Sequence, residues 1–270
     1  MHAAKLRFAV VVAGVALAAA ACLPPRAPDP PPTTTTTPRV MTRGFDACTA
    51  PSSLTMSAWK ASSPYVNLGV YIGGALRACS QGNLTPSWVT TVTGQGWHLI
   101  PIYVGIQAPC TSFRLTIDPT QAAAQGAAAA DDAANIARNL QLSGSVPVYL
   151  DMEAYDYTNT TCSTAVRTFV SAWVGELHAK GLSAGFYSSS ASGIKDQALM
   201  YNNSSYNRLD AIWFANWDNR VAVFGDPFFA DTLWPNHQRL HQYQGGHNET
   251  YGGVTINIDS DAVDGPTYPS

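Results

Sequence analysis

Val-Tyr-Leu-Asp-Met-Glu-Ala, residues 148–154, is a short apolar run that ends in two acids. Side chains alternate along a strand, so Asp151 and Glu153 point the same way and Met152 points the other. Parallel strands of an α/β sheet are apolar on both faces, and polar groups collect at their carboxyl ends, where active sites form. The stretch therefore predicts a buried strand that delivers two carboxyl groups to a functional site. A salt-bridged or helix-capping acid pair is the alternative interpretation.

Short apolar runs of this kind recur along the chain. They predict eight strands, at residues 44–47, 68–72, 99–104, 146–150, 183–187, 211–215, 240–243 and 254–258. Each run is bounded by glycine or polar residues, as buried parallel strands are.

Helical patterns fill most of the intervals between these strands. Shorter helices are predicted at 54–62, at 86–93 and at the start of 189–208. Asp118 is expected to cap an Ala-rich helix that Pro119 begins and that ends near Leu142. A second long helix is predicted from Ser163 to just before Gly181, with a regular apolar stripe.

The last quarter of the chain breaks this alternation. Residues 217–238 contain Asp226-Pro227 and Trp234-Pro235 and have no helical pattern. The sequence therefore predicts an α/β fold, a (β/α)8 TIM-type barrel with irregular or missing helices in the C-terminal part.

The first 40 residues differ in composition from the rest. Lys5 and Arg7 precede an apolar run that ends at Ala21, so residues 1–21 are typical of a signal peptide and too short to span a bilayer. Ala19-Ala20-Ala21-Cys22 resembles a bacterial lipoprotein box, with Ala19 where leucine is usual, so Cys22 is a candidate lipidation site; cleavage after Ala21 without lipid is the alternative. Residues 22–40 are rich in proline and threonine and predict a linker. Residues 41–270 are the barrel domain.

Besides Cys22 the chain has four cysteines, Cys48, Cys79, Cys110 and Cys162. An even number in an exported chain predicts two disulfides, for which three pairings exist. Each cysteine follows one of the first four predicted strands, so neighbouring loops at one rim could meet. Cys48–Cys79 and Cys110–Cys162 are therefore the preferred pairs. No Cys-x-x-Cys spacing occurs, and no metal site or cofactor is expected.

The charge balance restricts the partners. The chain has 15 basic and 18 acidic residues, and without Lys5 and Arg7 in the signal peptide 13 basic residues remain, for a net charge of −5. Nucleic acid is therefore not an expected partner, and a membrane is expected only through a lipid anchor at Cys22. A monomer is expected.

Polar residues accompany the ends of several predicted strands. Asp46 ends the first, Asp151 and Glu153 follow the fourth, Asn216 and Trp217 the sixth, Gln242 lies on the seventh, and Asp259 ends the eighth. Parallel strands would bring these groups to one barrel mouth. Hydrolysis of a glycosidic bond needs one protonated and one ionised carboxyl group, and crowding separates their pKa values.

Glu153 is the predicted general acid, because its longer side chain reaches past Asp151 into the cleft. Asp151 is expected to hold Glu153 or a sugar hydroxyl, and Asp46 and Asp259 compete for the second catalytic role. Side chains suited to bind sugar are Trp217, Asn216, Gln242, Tyr243, Tyr187 and Tyr155. Trp213 is expected in the core, and His241 is expected to point away from Gln242.

The order of the motifs resembles a known family. Gly44-Phe45-Asp46, Tyr71-Ile72-Gly73-Gly74, Leu150-Asp151-Met152-Glu153, Ile212-Trp213-Phe214-Ala215-Asn216-Trp217, His241-Gln242-Tyr243 and Ile258-Asp259-Ser260-Asp261 are similar to the bacterial secreted glycoside hydrolase-like family known as domain of unknown function 1906, and more distantly to the family 25 lysozymes. The resemblance covers about residues 42–265 and implies a TIM-type barrel.

In the lysozymes the glutamate of the matching Asp-x-Glu pair is the general acid, which implies that role for Glu153. Asp46 and Asp259 match the acids of the first and last strands. Ala47-Cys48-Thr49 departs from the usual Val-Ser of the lysozymes beside Asp46, so the resemblance does not by itself imply peptidoglycan as the substrate.

These observations predict an exported glycoside hydrolase-like protein that acts on cell-envelope or extracellular glycans, with peptidoglycan as one candidate polysaccharide. Its expected location is secreted or anchored to the outer face of the cell membrane. The alternative is a catalytically inactive domain that binds glycans or organises the cell envelope.

Overall fold

The computed structural model describes residues 41–142, 144 and 147–269. The signal peptide at 1–21, the lipidation of Cys22 and the linker at 22–40 lie outside the described residues and stay predictions. None of the described helices is long and apolar enough to cross a membrane.

Eight strands close into a barrel in the order of the sequence. They are β1 (Thr42–Asp46), β2 (Asn67–Gly73), β3 (His98–Val104), β4 (Pro147–Asp151), β5 (Ser183–Ser189), β6 (Ala211–Ala215), β7 (Arg239–Tyr251) and β8 (Val254–Asp264). Strands β1 to β7 run parallel, so their carboxyl ends share one rim. The predicted TIM-type barrel is confirmed.

Strand β8 differs from the expectation in its direction and its length. It runs antiparallel to β7 and to β1. Gly252 and Gly253 join β7 to β8 with φ of +58° and +76°, the two left-handed residues that a type I′ hairpin requires. Asp259 was expected at the end of the strand but lies in its middle, opposite Asp46. Because β8 runs away from the rim, this position still brings Asp259 to the mouth.

In the part of the chain that the structure describes, five α-helices and one π-helical turn lie between the strands. They are α1 (Ser53–Ser62), α2 (Pro86–Gly94), α3 (Ala122–Asn139), α4 (Thr160–Ala179), the π turn (Ser190–Ile194) and α5 (Lys195–Met200). Helix α3 starts later than predicted, because Asp118 accepts hydrogen bonds from Thr120 in a local turn and does not cap the helix. Helix α4 starts earlier, because the side chain of Asn159 caps it. Residues 216–238 form neither helix nor strand, as expected.

Two apolar layers build the core. The barrel interior contains Ile100, Ile102, Tyr149, Trp213, Leu240 and Val263, and a larger cluster fills the space between the barrel and its helices. Trp213 is 1% exposed, which confirms its expected place in the core. Disulfides join Cys48 to Cys79 and Cys110 to Cys162, so both preferred pairs are confirmed.

Candidate active site

A cavity of about 360 Å³ opens at the carboxyl rim of the barrel. Its polar lining comes from the ends of β1, β2 and β4, from the loops that follow β1 to β4, and from β8. Four acids line it: Asp46, Asp151, Glu153 and Asp259. The structure therefore brings together all four of the predicted catalytic residues.

Asp46 is the most tightly held of these acids. It is 2% exposed. Tyr71 Oη donates to one carboxyl oxygen at 2.7 Å, and Gln242 Nε2 donates to the other at 2.9 Å. Burial and the nearby Asp259 raise the pKa of Asp46 to about 7, although both hydrogen bonds act to lower it. A carboxyl group of this kind exchanges its proton near neutral pH.

Gln242 connects the acids to two aromatic side chains. Its Nε2 lies 3.3 Å from Asp259 Oδ2, and its Oε1 accepts from Tyr187 Oη at 2.8 Å and from Trp217 Nε1 at 3.0 Å. Because the indole N–H of Trp217 can only donate, the amide of Gln242 is oriented with its oxygen toward Trp217 and its nitrogen toward the acids. Trp217 is 64% exposed and covers Gly245, where an added Cβ would lie 2.5 Å from the indole.

Asp151 and Glu153 occupy different depths of the same cavity. Asp151 is buried, and its Oδ1 has no hydrogen-bond partner among the described residues. Burial, Glu153 and Asp46 raise the pKa of Asp151 well above its usual value. Glu153 is exposed toward the cavity, and its partial desolvation raises its pKa. The described contacts include no hydrogen bond between the two carboxyl groups, so Asp151 does not hold Glu153 directly.

Gln107 fixes the backbone that carries this pair. Its Nε2 donates to the carbonyl of Asp151 at 3.0 Å, and its Oε1 accepts from the backbone N–H of Glu153 at 2.7 Å. The amide thereby replaces the strand partner that β4 loses where it ends. Gln107 is 1% exposed, and nothing in its local sequence distinguished it from an ordinary loop residue.

Two acids of β8 face the barrel interior. Asp259 is half-buried; burial raises its pKa, His247 acts to lower it, and Glu153 acts to raise it. Asp261 lies deeper and accepts from Trp213 Nε1 at 2.9 Å, while its Oδ2 has no partner among the described residues. Burial, followed by Asp46, raises the pKa of Asp261 well above its usual value. Side chains two residues apart in a strand face the same way, so the spacing of Asp261 from Asp259 could have identified Asp261 from the sequence.

None of the six residues predicted to bind sugar is among the described residues that line the cavity. Gln242, Tyr187 and Trp217 lie beside its acids through the hydrogen bonds given above, whereas the other three contact other parts of the chain. Tyr155 is buried and donates to Asp196 Oδ2 at 2.6 Å. Tyr243 packs with Val223 and Ala262, because alternation places it on the same side of β7 as His241. Asn216 donates to Asp226 Oδ2 at 3.0 Å.

His241 points away from Gln242, as expected. Its ring stacks on Phe214. The lining residues that the sequence interpretation did not assign to the site include Tyr71, Arg77 and Phe113.

The family model described as Rv2525c-like, glycoside hydrolase-like domain matches residues 57–263. That range includes Asp151, Glu153 and Asp259, and Asp46 precedes it. The search of curated proteins gave no match.

Three solved structures are similar to this chain to different degrees. An uncharacterized B. stearothermophilus protein is 18% identical with a TM-score of 0.57, and the alignment covers 82% of this chain and 95% of that one. The modular autolysin LytC from Streptococcus pneumoniae is 11% identical with a TM-score of 0.49, over 83% of this chain and 46% of that one. A GH18 chitinase from Pseudoalteromonas aurantia is 10% identical with a TM-score of 0.43, over 73% and 79%.

The first of these likenesses supports the barrel fold. The family match spans most of the domain and confirms the resemblance that the order of the motifs predicted. The chain therefore belongs to the family of Rv2525c-like, glycoside hydrolase-like domains.

Proposed function

We propose that this protein is an exported glycoside hydrolase that acts on cell-envelope or extracellular glycans, with Glu153 as the proton donor. One observation carries the proposal: four carboxyl groups converge on one cavity of about 360 Å³, and the pKa of each is raised. Cleavage of a glycosidic bond needs a carboxyl group that still holds its proton when the substrate binds.

Glu153 suits the role of proton donor for three reasons. Its carboxyl group faces the open cavity, where the oxygen of the leaving sugar would lie. Its raised pKa keeps a larger fraction protonated than an exposed glutamate would retain. The two hydrogen bonds of Gln107 fix the backbone from which the side chain extends.

Asp259 is the better candidate for the second carboxyl group. Both oxygens of Asp46 accept hydrogen bonds and the residue is 2% exposed, so little of it is accessible to a substrate or a water molecule. Asp259 is half-buried and His247 favours its ionised form. In this assignment Asp259 is the nucleophile or the base, and Asp46 orients Asp259 through Gln242.

Export is supported by two disulfides, which persist in oxidising compartments. The composition of residues 1–40 supports a signal peptide followed by a linker. Lipidation of Cys22 would hold the barrel at the outer face of the membrane, close to the glycans of the cell envelope.

The test measures new reducing ends released from purified peptidoglycan and from a panel of bacterial polysaccharides. The native protein is compared with Glu153→Gln, with Asp259→Asn and with the matched control Glu176→Gln, which alters a glutamate on α4 that pairs with Lys180. We expect release by the native protein and the control, and a loss of about 10²-fold or more in both site variants.

Release that Glu153→Gln leaves unchanged would overturn the assignment of the acid. If no protein releases reducing ends while all of them bind a glycan of the panel, the domain is a glycan-binding module and the catalytic proposal is wrong.

A further inference from the structure

The cavity has one cationic residue in its described lining, Arg77, in the loop that follows β2. It shares the cavity with four acids and forms an ion pair with none of them, since no carboxylate of the described residues lies within 4.0 Å of its guanidinium. An arginine near several carboxyl groups normally pairs with one of them. Its separation from them leaves the cation available to a ligand.

Most N–H groups of the Arg77 guanidinium have no acceptor among the residues that the structure describes. Arg77 is half-buried, and Nη1 donates to the carbonyl of Ile72 at 3.1 Å. The described contacts assign no acceptor to its other N–H groups. Arginine presents its donors as a rigid planar fork that matches both oxygens of a carboxylate.

The loop that carries Arg77 is held rigidly. Leu76 N–H donates to the carbonyl of Val104 at 3.2 Å, and Arg77 N–H donates to the carbonyl of Gly74 at 3.2 Å. Gly74 has φ of +104°, and a Cβ there would lie 2.0 Å from Val104 O, so the turn packs directly on the β3 backbone. The Cys48–Cys79 disulfide fixes the loop two residues further on. A cation placed in this way loses little freedom when it binds a ligand.

We infer that Arg77 binds a carboxylate carried by the glycan, so that the substrate is an acidic polysaccharide. The inference rests on the proposed function, because it assigns the substrate class of the same cavity. Two kinds of sugar supply the group: a hexuronic acid and a muramic-type sugar with a lactyl ether. Phe113 lines the same cavity, is 44% exposed and offers an apolar face to the sugar ring.

The surrounding acids tolerate an anionic ligand. Burial raises the pKa of Asp46, Asp151 and Glu153, so these groups hold protons in part of the range where a sugar carboxylate is already ionised. A neutral carboxyl group does not repel the ligand and can donate a hydrogen bond to it.

The test measures binding by calorimetry in the Glu153→Gln background, where turnover is suppressed. Arg77→Gln is introduced into this background, and Arg114→Gln is the matched control, because Arg114 lies in a neighbouring loop, donates to the carbonyl of Ala75 and does not line the cavity. The ligands are oligogalacturonates, a disaccharide that contains muramic acid, the carboxyl-reduced form of each, and a neutral chitooligosaccharide.

We expect at least one acidic ligand to bind about tenfold or more tightly than its carboxyl-reduced form. Arg77→Gln should remove that difference, and Arg114→Gln should retain it. The ligand that shows the difference identifies the source of the carboxylate. Thermal unfolding of each variant verifies that the fold is intact.

Equal affinity for each acidic ligand and its carboxyl-reduced form overturns the inference. A difference in affinity that survives Arg77→Gln also overturns it, and so does an absence of binding by both acidic ligands. These outcomes are separate from the failure of the proposed function. A carboxylate preference that depends on Arg77, without release of reducing ends by the native protein, would retain the recognition and reject the catalysis.

Discussion

Asp46 retains its proton at pH values where an exposed aspartate has lost it, because burial and Asp259 raise its pKa to about 7. The unfolded chain releases that proton near pH 4. Between these values the folded state binds more protons than the unfolded state, so this group lowers the stability as the pH rises from about 4 to about 7. Asp46→Asn removes the effect. We expect its free energy of unfolding, relative to the native protein, to increase by up to about 4 kcal/mol across this range.

Denaturant unfolding at a series of pH values measures this change. The absolute stability of Asp46→Asn will be offset, because an amide cannot accept both existing hydrogen bonds; the pH dependence of the difference is the informative quantity. The control is Asp118→Asn, an exposed residue whose pKa the Thr120 hydrogen bonds lower. The free energy of unfolding of Asp118→Asn, relative to that of the native protein, should not change with pH above pH 4. Parallel stability curves for Asp46→Asn and the native protein would show that Asp46 ionises in the folded state as it does in the unfolded chain.

Three of the four cavity acids that the sequence predicted share one property: they lie at strand ends, where a parallel sheet gathers them. Asp46, Asp151 and Glu153 belong to this class. Gln107 was missed because its role depends on a contact with β4 that lies 44 residues away in the chain. Tyr243 was misplaced although the period of two that oriented His241 also applied to it. Local pattern predicts the direction of a side chain, whereas a partner distant in sequence becomes visible only in the folded molecule.

At the scale of the element, the β7–β8 hairpin brings Asp259 to the mouth. Its turn residues Gly252 and Gly253 both have positive φ. Alanine is strained in this conformation at either position, but a Cβ at Gly252 would also lie 2.8 to 3.0 Å from Ala58, whereas Gly253 has open space. We therefore expect Gly252→Ala to lower the free energy of unfolding more than Gly253→Ala, which should cost about 1 kcal/mol.

Denaturant unfolding of the two single variants makes this comparison. Gly253→Asn then separates the strain of the left-handed backbone from the contact with Ala58. Asparagine tolerates left-handed backbone, so its cost should be smaller than that of alanine at the same position. Equal losses for Gly252→Ala and Gly253→Ala would mean that the turn moves away from α1 without cost. The contact with Ala58 would then have no role in placing the hairpin.

The direction of β8 was the main feature of the fold that the strand pattern left undetermined. An apolar run of strand length predicts a strand but carries no information on whether it runs parallel or antiparallel to its neighbours. The signal was Gly252-Gly253 between two strand-like segments, a two-residue connection that permits only a hairpin. Reversal also explains the missing helix, since a parallel return from β7 to β8 needs a crossover of a dozen or more residues.

For the whole molecule, the barrel was predictable because eight strands and the helical stretches between them alternate, and a closed parallel sheet buries such strands on both faces. Helix boundaries were predicted less accurately, as at α3, where Asp118 was expected to cap the helix but closes a turn ahead of it. Capping residues and turn residues are the same few amino acids, so sequence alone does not separate the two uses.

The closure of the barrel predicts where the folding unit begins. Strand β1 pairs with β2 on one side and with β8 on the other. Phe45 is fully buried and its ring contacts Trp59, Tyr65 and Trp97. We expect a chain that begins at residue 40 to melt at the temperature of the full chain. A chain that begins at residue 48 retains every cysteine of the two disulfides but lacks β1, so it should not unfold cooperatively.

The core alone accounts for the destabilisation that is expected in the chain that begins at residue 48. Removal of a buried phenylalanine side chain costs about 3–5 kcal/mol, and the loss of β1 also leaves two strand edges unpaired in a domain whose total stability is of the order of 5–15 kcal/mol. Calorimetry of both truncated chains beside the full chain measures the outcome. A lower melting temperature for the chain that begins at residue 40 would place part of residues 1–39 in the folded unit. A cooperative transition in the chain that begins at residue 48 would mean that β2 and β8 close the barrel without β1.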